Sequence, residues 1–179
     1  SVAGRPGNGR IWMVEPIRRH LILSSDHLEA RYMPDYIRVL RRYRPRFVQA
    51  FPSAIVPLAR WLLRHPEPAV TSAVRAIQLS SENVLEFQLD LLRSVFDCPI
   101  LVQYGHSERV LMATTTGNDS RYVFWPLYGQ PELVDAAGEP ITQPGVLGEL
   151  VGTSFDNRAM PFIRYRTGDM AMWSADPHP

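Results

Sequence analysis

Two short motifs in the second half of the chain hold the residue types best suited to chemistry. They are Tyr104-Gly105-His106-Ser107-Glu108 and Tyr165-Arg166-Thr167-Gly168-Asp169. Each joins an aromatic that can stack on a base, a glycine that lets backbone come close, and a hydroxyl with a carboxylate at its end. A carboxylate alone would repel a phosphate, so Glu108 suits a phosphate site only with a divalent cation between them. Asp169 suits a bidentate acceptor for two vicinal hydroxyls, such as those of a ribose. Together the motifs read as turns that hold one mononucleotide at phosphate and sugar.

Simpler readings stand beside these. Tyr104 could be a core aromatic, Glu108 and Arg109 a surface ion pair, and Asp169 an ordinary turn residue. Ser80 and Ser81 could cap a helix, with Glu82 favoured at its positive end. His106 next to Ser107 does not make a serine hydrolase. A nucleophile elbow needs Gly-x-Ser-x-Gly, whereas Ser107 is followed by Glu108 and Arg109. His20, His27, His65 and His178 have no ligand-like spacing, which argues against a zinc site. All 19 basic residues are Arg, which excludes a phosphate loop ending in Lys-Ser/Thr and any Schiff-base lysine.

The elements that must position these motifs alternate in the first two thirds of the chain. After a turn-rich stretch over 1–10, short strands are expected at Ile11–Val14 and Leu21–Leu23. Ser24-Ser25-Asp26 offers a cap for a helix carrying Leu28, Tyr32, Tyr36, Ile37 and Leu40 inward, which Pro34 splits or kinks. A strand over Arg46–Phe51 leads to a helix from a Ser53 cap to about His65. A strand at Val74–Leu79, a helix over Glu82–Phe96 and a buried strand at Ile100–Gln103 follow. This alternation predicts a parallel sheet with crossover helices. Beyond Thr116 come a turn at Gly117-Asn118-Asp119 and strands at Tyr122–Leu127, Gly148–Ser154 and Pro161–Tyr165, with a hairpin around Asp135–Gly138. The fold class is therefore α/β, with a partly parallel sheet over 1–120 and a smaller β-rich antiparallel subdomain over 121–179. Phe51-Pro52-Ser53, Ser80-Ser81-Glu82 and Tyr104 to Glu108 fall at strand ends, where open α/β sheets bind ligands.

Composition narrows the class. Apolar content of 45% and charged content of 21% are ordinary for a globular protein. No apolar run reaches bilayer length and no signal-peptide pattern is seen, so no membrane role is expected. The single Cys98 forms no internal disulfide, and a reducing cytoplasm is the expected location. Residues 1–75 hold 13 Arg against 5 acids, and residues 76–179 hold 6 Arg against 13 acids. Arg38, Arg41, Arg42 and Arg44 nevertheless interleave with Ile37, Leu40 and Tyr43 at helical spacing, the pattern of a solvated helix face. Nucleic-acid binding is not expected.

The ordered set of motifs resembles the adenylate-forming ligases, in the branch of phenylacetate–coenzyme A ligases and capsule-biosynthesis proteins. The resemblance rests on Phe51-Pro52-Ser53, Ser80-Ser81-Glu82, Tyr104 to Val110, and Met160 to Asp169, and spans about residues 27–173. It implies that Ser81 and Glu82 lie near the nucleotide base and that Tyr104 stacks on adenine, with Gly105 beside it. It implies further that Ser107 binds a phosphate oxygen, Glu108 holds Mg²⁺ and Asp169 takes the ribose hydroxyls. The implied cofactors are ATP/AMP and Mg²⁺, with coenzyme A as an acceptor. The implied partner is a small carboxylic acid, which Phe51, Phe124, Trp125 and Tyr128 could make aromatic; a homodimer is compatible. Val102 departs from the polar residue many members carry two positions before the tyrosine. The family's phosphate loop would lie upstream, and its mobile domain with a contacting lysine downstream. Residues 1–179 alone are therefore expected to bind nucleotide weakly and to catalyse nothing. The alternative is a non-catalytic module that keeps the nucleotide fold for regulation or assembly.

Overall fold

Trp12–Glu15 (β1) and His20–Leu23 (β2) open the computed structural model as an antiparallel hairpin. Its turn is held by Glu15, whose carboxylate oxygens accept the N–H groups of Ile17 at 2.9 Å and Arg18 at 2.7 Å. The structure describes residues 11–116, 120–156 and 159–176, so the expected turn at Gly117-Asn118-Asp119 lies outside the described residues. By its internal contacts the chain divides into two units, Ser1–Ile100 and Leu101–Pro179.

In the first unit, Met33–Tyr43 (α1) buries Met33, Tyr36, Ile37, Val39 and Leu40 and leaves Arg38, Arg41 and Arg42 in solvent. Tyr36, Ile37 and Leu40 lie on the inward face their spacing predicted, but the helix starts at Met33 and not from a Ser24-Ser25-Asp26 cap, which leaves Leu28 and Tyr32 outside it. Pro34 does not kink the helix: it sits in the first turn, where its missing N–H costs nothing. The Tyr36 hydroxyl donates to Ser24 O at 2.9 Å, and burial pushes its phenol up to about 12. Phe47–Ala50 (β3) and Ala76–Ser80 (β4) pair in parallel. The crossover between them runs through Pro52–Arg64 (α2) and the single turn Pro68–Thr71 (α3).

Glu86–Val95 (α4) starts later than Glu82, because the backbone from Ser81 to Leu85 is not helical and Ser81 has φ 69°. Glu82 therefore does not lie at this helix's positive end. The first turn is instead held by Gln88, whose side-chain carbonyl accepts the Leu85 N–H at 2.9 Å. Ala59, Leu62, Val70, Ile77, Leu79 and Leu92 are the least exposed residues of one cluster. Truncating Leu92 to Ala there should cost about 2–5 kcal/mol.

Ile100–Gly105 (β5) carries the chain into the second unit. It pairs antiparallel with Met112–Thr115 (β6), which pairs with Tyr122–Phe124 (β7). A second antiparallel sheet has the order β10-β9-β8, built from Gly129–Val134 (β8), Gly148–Ser154 (β9) and Tyr165–Ala171 (β10). The hairpin expected at Asp135–Gly138 is a turn in which the Asp135 carboxylate accepts the N–H groups of Ala137 and Glu139. The last strand covers Tyr165–Ala171 rather than Pro161–Tyr165. Val110 and Leu111, both fully buried, join the core of this unit. Their fit demands glycine nearby: a Cβ on Gly129 would lie 2.0 Å from Val110 O, and one on Gly152 would lie 2.6 Å from Leu111 Cγ.

Candidate functional site

The first motif begins on a strand and ends in a turn. Tyr104 and Gly105 finish β5, and the Arg109 N–H donates to His106 O at 3.1 Å, which folds Ser107 and Glu108 outward. Arg109 adopts φ 58°, a left-handed conformation that costs a non-glycine residue free energy. Its guanidinium is tied to Asp156 at 2.8 Å. Glu108 and Arg109 therefore do not pair with each other. Glu108 Oε2 lies 3.1 Å from His106 Nδ1 instead.

Several groups hold the Glu108 carboxyl below the usual carboxylate range, and its own backbone N–H is the strongest. Hydrogen bonds from His106 and Tyr165 add to it. Glu108 is thus an ionised, partly exposed carboxylate steered by two neighbours. The His106 ring lies against Tyr165 with centroids 6.0 Å apart and planes at 27°. With Glu108 ionised, Nδ1 is the nitrogen that carries the proton, since the carboxylate can only accept. Nε2 is buried and has no hydrogen-bond partner among the described residues.

The second motif lies on β10, in a strand rather than a plain turn. Register shifts between Arg166 and Met170, so Thr167, Gly168 and Asp169 arch out of the ladder. Gly168 takes φ 79°, a region where glycine is at ease and other residues are strained. The Thr167 hydroxyl donates to Leu150 O at 2.8 Å and accepts the Asp169 N–H at 3.1 Å. This arch presents the Asp169 carboxylate.

The two motifs meet there. The Tyr104 hydroxyl donates to Asp169 Oδ2 at 2.6 Å. Burial, and then this bond, hold the Tyr104 phenol above the ordinary tyrosine range. Tyr122 and Phe124 stand edge-on to the Tyr104 ring, each with centroids 6.3 Å away. Gly105, Ser107 and Asp169 are exposed beside this half-buried aromatic group. Val102, in contrast, points into the core and donates its N–H to Thr115 Oγ1 at 2.9 Å.

Ser81 and Glu82 belong to the first unit, where a second junction forms. Helix α2 begins after Phe51 with no side-chain cap, so Ser53 does not cap it. Instead the Ser53 N–H donates to Glu82 Oε2 at 2.9 Å, and its hydroxyl donates to Oε1 at 2.7 Å. A carboxylate borrowed from the loop after β4 thus occupies the positive end of α2. This link brings together two of the three predicted strand-end segments. Sequence reasoning had missed it, along with the parts of His106 and Tyr165 in steering Glu108. The only advance signal was the ordered spacing of the motifs.

Among the described residues no group of three or more His, Cys, Asp and Glu side chains could hold a metal ion. A single ionised and accessible carboxylate still fits Mg²⁺, which keeps several waters and takes one or two protein carboxylates plus substrate phosphates. Among the described residues no helix is long and apolar enough to cross a membrane.

No family model matches the sequence. Protein CapK of Staphylococcus aureus is 24% identical over 160 residues, which cover 88% of this chain and 33% of CapK. Phenylacetate-coenzyme A ligase of Pseudomonas putida is 27% identical over 141 residues, covering 75% of this chain and 31% of the ligase. The chain spans about a third of the length of these curated relatives. Among solved structures, an open conformation of 2-hydroxyisobutyryl-CoA ligase, in complex with 2-HIB-AMP and CoA, superposes with a TM-score of 0.67. Its sequence identity is 18%, over 83% of this chain and 36% of that one. VinN gives a TM-score of 0.62 at 22% identity, over 78% of this chain and 40% of its own.

Proposed function

We propose that this chain, a stretch of an adenylate-forming ligase by its fold and its relatives, forms the ribose- and magnesium-facing part of an enzyme that activates a carboxylic acid with ATP. The observation that carries this reading is the Tyr104–Asp169 hydrogen bond, which joins both motifs at one exposed edge of the second unit. On this reading residues 1–120 are the α/β nucleotide-binding portion and residues 121–179 the β-rich subdomain.

Each residue then has a task. Asp169 keeps lone pairs beyond the one engaged by Tyr104, enough to accept two ribose hydroxyls. The Tyr104 ring offers adenine an aromatic neighbour, and Ser81 and Glu82 keep the nucleotide-binding part that the family resemblance implies for them. Gly105 leaves room for the nucleotide, and the exposed Ser107 hydroxyl donates to a phosphate oxygen. Glu108 would hold Mg²⁺, which when bound neutralises the triphosphate during in-line displacement. In the reaction a carboxylate oxygen of the acid bonds to the α-phosphorus. The bond from that phosphorus to the β-phosphate bridging oxygen breaks, and pyrophosphate leaves with the electron pair. The acyl group of the resulting acyl-adenylate can then pass to coenzyme A or another nucleophile, which bonds to the acyl carbon as the bond to the phosphate oxygen breaks and AMP leaves. Contacts that need a lysine cannot come from this chain, which has none.

A second reading is a nucleotide-binding module without chemistry, in regulation or assembly. Pyrophosphate release by the full protein carrying this sequence, with ATP–Mg²⁺ and a panel of aryl and fatty acids, separates the two. Acid-dependent release supports the ligase; nucleotide binding without release with any acid supports the module. Residues 1–179 alone should bind ATP with millimolar or weaker affinity, a binding free energy of roughly −4 kcal/mol or less favourable, and robust turnover by them would refute the division of labour proposed here.

A further inference from the structure

Glu149 stands on β9 opposite the arch in β10, and its side chain is largely buried, at 17% exposure. It makes three contacts with the second motif. Oε2 accepts from Arg166 Nε at 2.8 Å and, more closely, from Nη2 of the same guanidinium. Oε1 accepts the Gly168 N–H at 3.3 Å. These contacts fall where the ladder fails: Arg166 pairs with Val151 and Met170 with Glu149, leaving three arch residues against Leu150 alone. An arch without ladder partners needs side chains to satisfy its backbone. Thr167 supplies two tethers, donating to Leu150 O and accepting the Asp169 N–H, and Glu149 supplies another by accepting the Gly168 N–H. The Arg166 guanidinium, with the Gly168 N–H adding to it, keeps the Glu149 carboxyl below the usual range, so it stays an acceptor.

We propose that Glu149 is a positioning residue for ribose recognition: by gripping Arg166 and Gly168 it fixes the arch, and the arch aims Asp169. Glu149 has no direct contact with Asp169 among the described interactions, and it acts through the backbone between Gly168 and Asp169. This inference rests on Asp169 being the ribose acceptor.

The test measures binding of ATP and of 2′,3′-dideoxy-ATP by calorimetry in the full protein, so no turnover is needed. Asp169→Asn comes first. It should lower the preference for ATP over the dideoxy nucleotide by about tenfold, the loss of one strong hydrogen-bonded contact. If it leaves the preference unchanged, the ribose reading itself fails. Given that loss, Glu149→Ala should cause one of similar size, and the double variant should lose little more, since both act on one contact. Glu149→Gln keeps an acceptor for Gly168 and should restore part of the preference. A folded Glu149→Ala that keeps the full preference overturns the inference. If Glu149→Ala does not fold, Glu149→Gln decides instead, because it lacks the charge that grips Arg166. A preference equal to the parent's overturns the inference, and a reduced one upholds it. Amide NMR of Gly168 and Asp169 gives a second readout, and both signals should move in Glu149→Gln without nucleotide.

Discussion

Tyr104 and Asp169, 65 residues apart in sequence, share a hydrogen bond of 2.6 Å from phenol to carboxylate. The contact links the end of β5 to the arch of β10, so the two motifs cannot shift independently. Tyr104→Phe keeps the ring against Tyr122 and Phe124 and removes only the donor. It should lower stability in urea unfolding by about 0.5–1.5 kcal/mol. ATP affinity should fall less than in Asp169→Asn, because the carboxylate proposed to meet the ribose remains. An Asp169→Asn variant that binds ATP better than Tyr104→Phe would contradict this ordering.

The same phenol predicts an alkaline instability. Burial, and then the Asp169 bond, raise the Tyr104 value above the ordinary 10.0, so folding favours the neutral form. The stability this gives is complete below pH 10.0 and is lost as pH rises through the higher folded value. Tyr36, pushed up to about 12 by burial, adds a loss of the same sign. Urea midpoints from neutral pH to about pH 12 should therefore fall in the alkaline range, and Tyr104→Phe should show a shallower fall. Equal slopes for parent and variant would remove Tyr104 from this account.

Glu108→Gln keeps the shape of the side chain and removes its charge. In the full protein it should cut acyl-adenylate formation by at least about a hundredfold, the scale of lost charge stabilisation at a reacting phosphate. It should also raise the Mg²⁺ concentration needed for half-maximal rate. Unchanged pyrophosphate release with unchanged Mg²⁺ dependence would leave Glu108 as a mere hydrogen-bond partner of His106.

Gly129→Ala should destabilise by about 1–3 kcal/mol, the usual cost of overpacking. Its Cβ would meet backbone, Val110 O at 2.0 Å and Thr153 O at 2.9 Å, and backbone has little room to yield. Gly152→Ala meets side-chain atoms of the buried Val110 and Leu111 instead, which can give by a small shift where backbone cannot, so it should cost less. Thermal unfolding of the two variants checks the order.

The first unit was largely legible because each of its elements carries its own signal. Arg38, Arg41 and Arg42 opposite Tyr36, Ile37 and Leu40 specify one helix face with no help from elsewhere. Boundaries failed where a distant group decides them. The apolar period that follows Glu82 places it in α4, yet its carboxylate is claimed by Ser53 across 29 residues. Likewise the sequence pattern ends the last strand at Tyr165, where β10 begins. Arg166, Gly168 and Asp169 suppress any strand signal, and the strand exists because β9 pairs with both of its ends.

The candidate site was legible as residue types and order, but not as a network. Nothing in the spacing showed that His106 would turn to Glu108, or that Tyr104 would spend its hydroxyl on Asp169. Both depend on the fold around the turn after β5, which only the packed second unit defines.

That turn is anchored at both ends. Tyr104 lies in the β5–β6 ladder, and Val110 sits at full burial with its carbonyl pressed toward Gly129. The loop between them is short and already ordered by the His106–Arg109 backbone bond. A ligand settling on Ser107 and Glu108 would find its donors and acceptors in place and would immobilise little chain. Association at this end of the site should therefore proceed without induced fit, with a small entropic penalty and a rate set by diffusion and charge rather than by rearrangement.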